Sequence, residues 1–208
     1  MNDPKTIKAQ SAAYFDQCAA TYDQTSDGRF ASRMYGEILS RVKLLRPSRV
    51  LELGCGNGAL LELLIDHHEA RYHGLDLSAE MIAQARARLS QGAELTVGDA
   101  EALPYGDKSF VLVVCNASFH HYPCPARAAA EMRRVLVPGG AVVLGDPTVP
   151  FPPLAALLNG MLRCGGSGDA HIWRRRELTA LLQKAGLRVE HWKRLAPTRF
   201  VCNAVRPE

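Results

Sequence analysis

The chain predicts a doubly wound α/β domain, with a mostly parallel sheet covered by helices on both faces. Three observations predict it. Apolar runs of strand length alternate with helix-length segments from residue 49 to residue 145. The strand runs are mainly apolar, Phe110–Cys115 continuously so, as in strands buried on both faces. The first of them breaks into Gly54-Cys-Gly-Asn-Gly58 directly before the helical Ala59–Ile65, the strand–turn–helix order of a ligand crevice in such sheets.

In chain order, Lys5–Tyr22 reads as one amphipathic helix, with Ala9, Ala12, Ala13, Phe15 and Ala19 at helical intervals. Gln24–Gly28 is a polar break. Phe30–Leu45 is a second helix, closed at Arg46-Pro47 because the residue before proline avoids helical backbone. Strands follow near 49–53, 71–75, 94–98, 110–115 and 140–145, with helices near 59–66, 79–90 and 125–135. The prolines of Pro147–Pro153 remove backbone donors and exclude a central strand or helix interior. A short apolar helix over Leu154–Arg163, a flexible Cys164–Asp169 and a helix over 174–185 ending at Gly186 come next. Leu187–Trp192 and Arg199–Val205 suit a terminal antiparallel pair.

At 208 residues and 47% hydrophobic content, one domain spanning 1–208 with one substantial core is expected. No run of about eighteen apolar residues is present to span a bilayer. Met1–Thr6 lacks the basic-then-apolar pattern of a secretory signal, and the six cysteines form no Cys-x-x-Cys pair, so reduced thiols in the cytoplasm are expected. The net charge is +4, and its densest cluster, Arg174-Arg175-Arg176, reads as a solvated face. With no aromatic platform or helix-turn-helix pattern beside it, a nucleic-acid substrate is disfavoured. Oligomeric state is not readable.

The chemistry-bearing residues lie at the strand ends. Glycine permits a sharp turn with positive φ and lets a ligand press on bare backbone. The free amides that open the following helix suit an anion such as a carboxylate. Asp76 ends the second strand about 20 residues on, where an acidic side chain accepts both ribose hydroxyls. Asp99, past the third strand, is placed to accept from an adenine amine. Together they describe a site for a small adenosine compound. An NAD site is the rival. Ala59 occupies the slot of its third glycine and is tolerated there, so the loop alone leaves that reading open. Gly98-Asp99-Ala100 and Leu136-Val-Pro-Gly-Gly140, however, have no place in that fingerprint.

Five ordered blocks carry a more specific likeness: Leu51–Gly58, Gly74–Ser78 with Met81, Gly98–Pro104, Ser109-Phe110 leading into Val113–Asn116, and Leu136–Gly140. Over roughly residues 48 to 145 the chain resembles the class I S-adenosylmethionine-dependent methyltransferases, the small-molecule enzymes related to the ubiquinone and biotin pathways. The resemblance implies a Rossmann-like, seven-stranded sheet with an antiparallel C-terminal edge strand and an N-terminal helical lid over residues 1–46. It implies S-adenosylmethionine as cofactor, with Gly54 and Gly56 holding the methionyl part and Glu52 near its amino group. Asp76 would bind the ribose, Leu77 and Met81 flank the adenine, Asp99 and the Ala100 amide read its edge, and Asn116 lie beside the methionyl group. Val111 departs from the acidic residue usual after Phe110.

The expected reaction is methyl transfer to a small-molecule acceptor, whose pocket the N-terminal helices, the 117–124 loop and the 147–172 segment would form. His121 is the candidate base, a better match to the family's histidine than His120; the alternative is a structural histidine lining the pocket. Adjacent histidines are poorly spaced as ligands, so no metal is expected. Tyr14 and Tyr22 mark the lid. Arsenite held by Cys18, Cys124, Cys164 or Cys202 is a minor alternative, which needs them to converge. A catalytically silent cofactor-binding regulator, and an enzyme acting on protein or RNA, are the other readings.

Overall fold

The computed structural model describes residues 3–162 and 170–208. Seven strands form one sheet: β1 Arg49–Leu53, β2 Arg71–Asp76, β3 Glu94–Val97, β4 Phe110–Asn116, β5 Leu136–Pro147, β6 Arg188–Ala196 and β7 Arg199–Val205. Their order is β3-β2-β1-β4-β5-β7-β6. The first five are parallel, and β7 runs antiparallel between β5 and β6. Strand order reverses between β1 and β4, the switch point that opens a ligand crevice at the carboxyl ends.

Alternation along the strands sends side chains to two apolar layers. Leu51, Leu53, Val113 and Cys115 pack with α6 (Pro125–Val135) and α8 (Arg175–Lys184). Val50, Leu112 and Val114 pack on the other face with α3 (Tyr35–Leu45), α4 (Ala59–His67) and α5 (Ala79–Leu89). Both faces are thus covered, which is why the central β4 reads as an unbroken apolar run from Phe110 to Cys115. Among the described residues no helix is long and apolar enough to cross a membrane.

Several boundaries differ from those expected. The first helix is α-helical only over Pro4–Cys18 (α1) and tightens to a 3₁₀ turn over Ala19–Gln24. The expected polar break instead holds an N-cap: Thr25 Oγ1 accepts from the Gly28 amide at 3.0 Å and starts α2, Ser26–Ser32. The expected Phe30–Leu45 helix is divided between α2 and α3, with fully buried Met34 at the junction. α3 does end at Arg46, in the left-handed conformation before Pro47. β5 begins four residues early, because Gly139 and Gly140 exchange hydrogen bonds with Arg206 beyond β7. Pro152 and Pro153 open α7, Pro152–Leu162, where a missing amide is harmless. The expected Cys164–Asp169 linker lies outside the described residues.

Gly58, at the N-cap of α4, has φ +80°, and a Cβ there would lie 3.1–3.3 Å from Leu89 and Ala85 on α5. Gly58→Ala is expected to lower unfolding free energy by about 1–3 kcal/mol, through left-handed strain and this close approach. Denaturant titration checks it.

Candidate active site

The nine residues expected to hold the cofactor and His121, the candidate base, all line one cavity at the carboxyl ends of β1, β2, β3 and β4. It holds about 880 Å³ of empty space, part of it open to solvent.

The glycine turn is built by main-chain bonds. Gly54 and Cys55 amides donate to Leu75 O at 2.8 and 3.1 Å, pinning the turn to the end of β2. Gly54 and Gly56 both have positive φ, +67° and +52°. Asp76 joins this turn to the next. Its Oδ2 accepts from the Gly56 amide at 2.8 Å and its Oδ1 from the Ser78 amide at 2.9 Å. Ser78 Oγ then caps α5 by accepting from the Met81 amide at 3.0 Å, which places Met81 in the wall. Burial raises the Asp76 pKa, although amides of Ser78, Gly56 and Leu77 partly offset it.

Glu52 is only 2% exposed, and its Oε2 has no hydrogen-bond partner. Burial pushes its carboxyl well above the usual range, and neighbouring Asp76 adds to this. Across the switch point, Asn116 Oδ1 is also buried without a partner. An unsatisfied buried acceptor is costly unless a ligand satisfies it, and two sit here on neighbouring strands, Asn116 two positions beyond Val114, the partner of Glu52. With Asp76, Asp99 and Glu101 in the same wall and Lys8 as the lysine or arginine facing them, the cavity suits a cationic ligand carrying donors. A dinucleotide pyrophosphate fits that charge poorly.

The N-terminal helices close the cavity by contacts between segments far apart in the sequence. Lys8 Nζ lies 2.7 Å from Asp99 Oδ2 and 2.5 Å from Glu101 Oε2. Desolvation pulls the Lys8 ammonium down, but its bonds to Asp99 and Glu101 more than offset this and raise its pKa. Asp16 Oδ1 accepts from Ser78 Oγ at 2.5 Å, and Asp23 Oδ1 from Asn57 Nδ2 at 2.8 Å. The lid thus touches the loops after β1, β2 and β3. Its inner face, Lys8, Ser11, Ala12 and Phe15, follows the helical period, the one signal that would have marked Lys8. Tyr22 also lines the cavity, whereas Tyr14 instead donates to Asp27 Oδ2 at 2.8 Å.

His121 is in the wall, its ring edge-on to Phe15 with centroids 5.1 Å apart. His120 packs against it, ring centroids 3.9 Å apart and planes tilted by 40°, and turns Nδ1 to Asp146 Oδ1, 2.9 Å away at the end of β5. Asp146 is fully buried, and burial raises its carboxyl pKa against the lowering effect of the His120 charge. Among the described residues no three histidines, cysteines or acids are grouped to hold a metal ion. Cys202 is buried in β7, and Cys164 lies outside the described residues.

Comparison with known proteins agrees with this geometry. Residues 51–144 match the family described as a methyltransferase domain. Trans-aconitate 2-methyltransferase of Methylobacterium nodulans is 32% identical over 195 residues, covering 86% of this chain and 71% of the relative. A 37.1 kDa protein of a Streptomyces fradiae transposon is 36% identical over 152 residues, 68% of this chain, but the match spans only 42% of that relative's length. A Burkholderia thailandensis 1,6-didemethyltoxoflavin-N1-methyltransferase, solved with bound 1,6-didemethyltoxoflavin and S-adenosylhomocysteine, superposes with a TM-score of 0.75 at 18% identity, over 100% of this chain and 92% of that one; at that identity it shows the fold alone. The chain belongs to the class I S-adenosylmethionine-dependent methyltransferases.

Proposed function

We propose that this chain moves a methyl group from S-adenosylmethionine to a small-molecule acceptor, with residues 1–46 as lid, 48–145 as cofactor core and 146–208 as acceptor side of one domain. The observation that carries this reading is the pair of unpartnered acceptors, Glu52 Oε2 and Asn116 Oδ1, in a cavity lined by further carboxylates. An ammonium beside a sulfonium answers both its charge and its unmet hydrogen bonds. Glu52 and Asn116 then hold the amino group, and Gly54 and Gly56 give the methionyl chain bare backbone. Asp76 takes the ribose hydroxyls. Leu77 and Met81 pack on the adenine, and Asp99 with the Ala100 amide reads its edge. Asp99 Oδ2 already bonds Lys8 and Oδ1 the Glu101 amide, but each carboxylate oxygen accepts more than one donor.

The donor, once bound, supplies an activated methyl on a sulfonium that leaves as a neutral thioether. The chain contributes alignment of acceptor, methyl and sulfur, and exclusion of water by Lys8, Phe15 and Tyr22. Positioning of this kind lowers a barrier by roughly 7–11 kcal/mol. Where the acceptor arrives protonated, His121 takes the proton as the new bond to carbon forms, its ring positioned between those of Phe15 and His120.

The test uses purified protein, methyl-labelled donor and a panel of phenols, carboxylic acids and amines. Label is expected in a small molecule. His121→Gln is expected to slow transfer to a proton-bearing acceptor about a hundredfold, the lower end of general-base contributions, while S-adenosylhomocysteine affinity stays within about twofold. Binding without transfer to any acceptor, cell extract included, would favour the silent regulator. Label in protein or RNA would favour a macromolecular substrate.

A further inference from the structure

The methyl donor read into this cavity carries a carboxylate as well as an ammonium, and no charged partner for it has been named. Lys8 is the lysine or arginine of the cavity wall, and it is spent on Asp99 and Glu101, beyond the end of β3. Glu52 and Gly54 lie at β1 and Asn116 at β4, two and three strands away in the sheet. The methionyl carboxylate therefore needs neutral donors near the glycine turn.

Ser118 and Tyr122 stand there. Their hydroxyls are 2.8 Å apart, and both residues line the cavity. A Cβ on Gly54 would fall 1.9 Å from Ser118 Oγ and 3.6 Å from Tyr122 Oη. The pair is thus packed onto the bare face of the turn. Two hydroxyls carry two hydrogens, and the bond between them uses one. When Ser118 donates within the pair, the Tyr122 hydrogen meets, among the described residues, only Cys115 Sγ, 3.8 Å from Tyr122 Oη, and sulfur is a weak acceptor. A carboxylate oxygen is a far stronger one, and charge-assisted bonds are about twice as strong as neutral ones. We infer that the Ser118–Tyr122 hydroxyl pair is the subsite for the carboxylate of the methyl donor, opposite the Glu52–Asn116 acceptors that take its ammonium. Acceptors on one side and donors on the other would read the α-amino acid as a zwitterion. The site would then discriminate against adenosine thioethers that lack the carboxylate. Burial keeps Tyr122 protonated, with its pKa far above the ordinary phenol value, so it remains a donor at any working pH.

This inference rests on the cofactor reading above, and the experiment separates the two. Calorimetry on the full chain measures S-adenosylhomocysteine and its decarboxylated analogue, which keeps the adenosine, the sulfur and the amine. Tyr122→Phe and Ser118→Ala are each expected to weaken S-adenosylhomocysteine about tenfold, the loss of one hydrogen bond to a charged group. Both should leave the analogue within about twofold. Tyr122→Phe keeps the ring that packs edge-on against Phe119 at 5.5 Å, so the fold is preserved. Equal losses on both ligands, or none on S-adenosylhomocysteine, would overturn the subsite alone. Wild-type protein that binds neither ligand would overturn the cofactor reading, and the subsite with it.

Discussion

Asp76→Ala is expected to weaken S-adenosylhomocysteine binding about a thousandfold, measured by calorimetry. The carboxylate has two tasks. It is the proposed acceptor for the ribose hydroxyls, and hydrogen bonds to a charged group contribute about 1.5–3 kcal/mol each. It also receives the Gly56 and Ser78 amides at 2.8 and 2.9 Å, holding the glycine turn and the start of α5 in mutual register. Alanine removes the acceptor and releases both turns, so the loss exceeds that of one contact. Asp76→Asn keeps the shape and one acceptor oxygen, and an intermediate loss is expected. The fold should survive both changes, because burial makes the free carboxyl unfavourable in the empty site. An affinity change below tenfold for the alanine variant would sink the ribose assignment.

The parts of this molecule legible in its sequence are those fixed by local backbone chemistry. Gly54, Gly56 and Gly58 all take positive φ, and Asp76 and Asn116 each close a strand. Such positions need a particular residue type whatever packs around them, so pattern alone finds them. Contacts between distant segments left no such trace. Lys8 meets Asp99 and Glu101 across 91 and 93 residues, and nothing near Lys8 announces them. The Asp146–His120 pair depends on the end of β5 lying beside the loop after β4. Thr25 is a different case. Its capping hydroxyl followed by Ser26-Asp27 was a readable start signal, hidden because the stretch looked uniformly polar. The strand expected near 140–145 starts at Leu136 instead, because pairing with the chain after β7 holds this stretch extended despite Pro138, Gly139 and Gly140.

Glu52→Gln should stabilise the empty protein while weakening its ligand. In the unfolded chain Glu52 titrates near the ordinary value of 4.5, whereas burial, then repulsion by Asp76, raise its folded pKa well above that. The sign follows by linkage. Below the unfolded value both states hold the proton and the group carries no penalty. As pH rises the unfolded chain ionises first, so folded stability is lost from there up through the folded pKa. Glutamine has no proton to lose. Its Tm advantage over wild type should therefore grow between about pH 5 and pH 8 in the absence of ligand. Ligand reverses the order. A bound ammonium gives the carboxylate its missing partner, so wild-type binding releases a proton and tightens as pH rises. The glutamine variant should bind S-adenosylhomocysteine about a hundredfold more weakly, with little pH dependence, because a charge-assisted bond has become a neutral one. At saturating S-adenosylhomocysteine wild type should then be the more stable protein. Thermal melts across this pH range, with and without ligand, read both halves. Parallel Tm–pH curves for the two empty proteins would show that Glu52 ionises freely, and equal affinities would show that it touches no cation. Either result removes the physical reason for an acid at the end of β1, which is that the cavity keeps an unfavourable charge in reserve for a cationic donor.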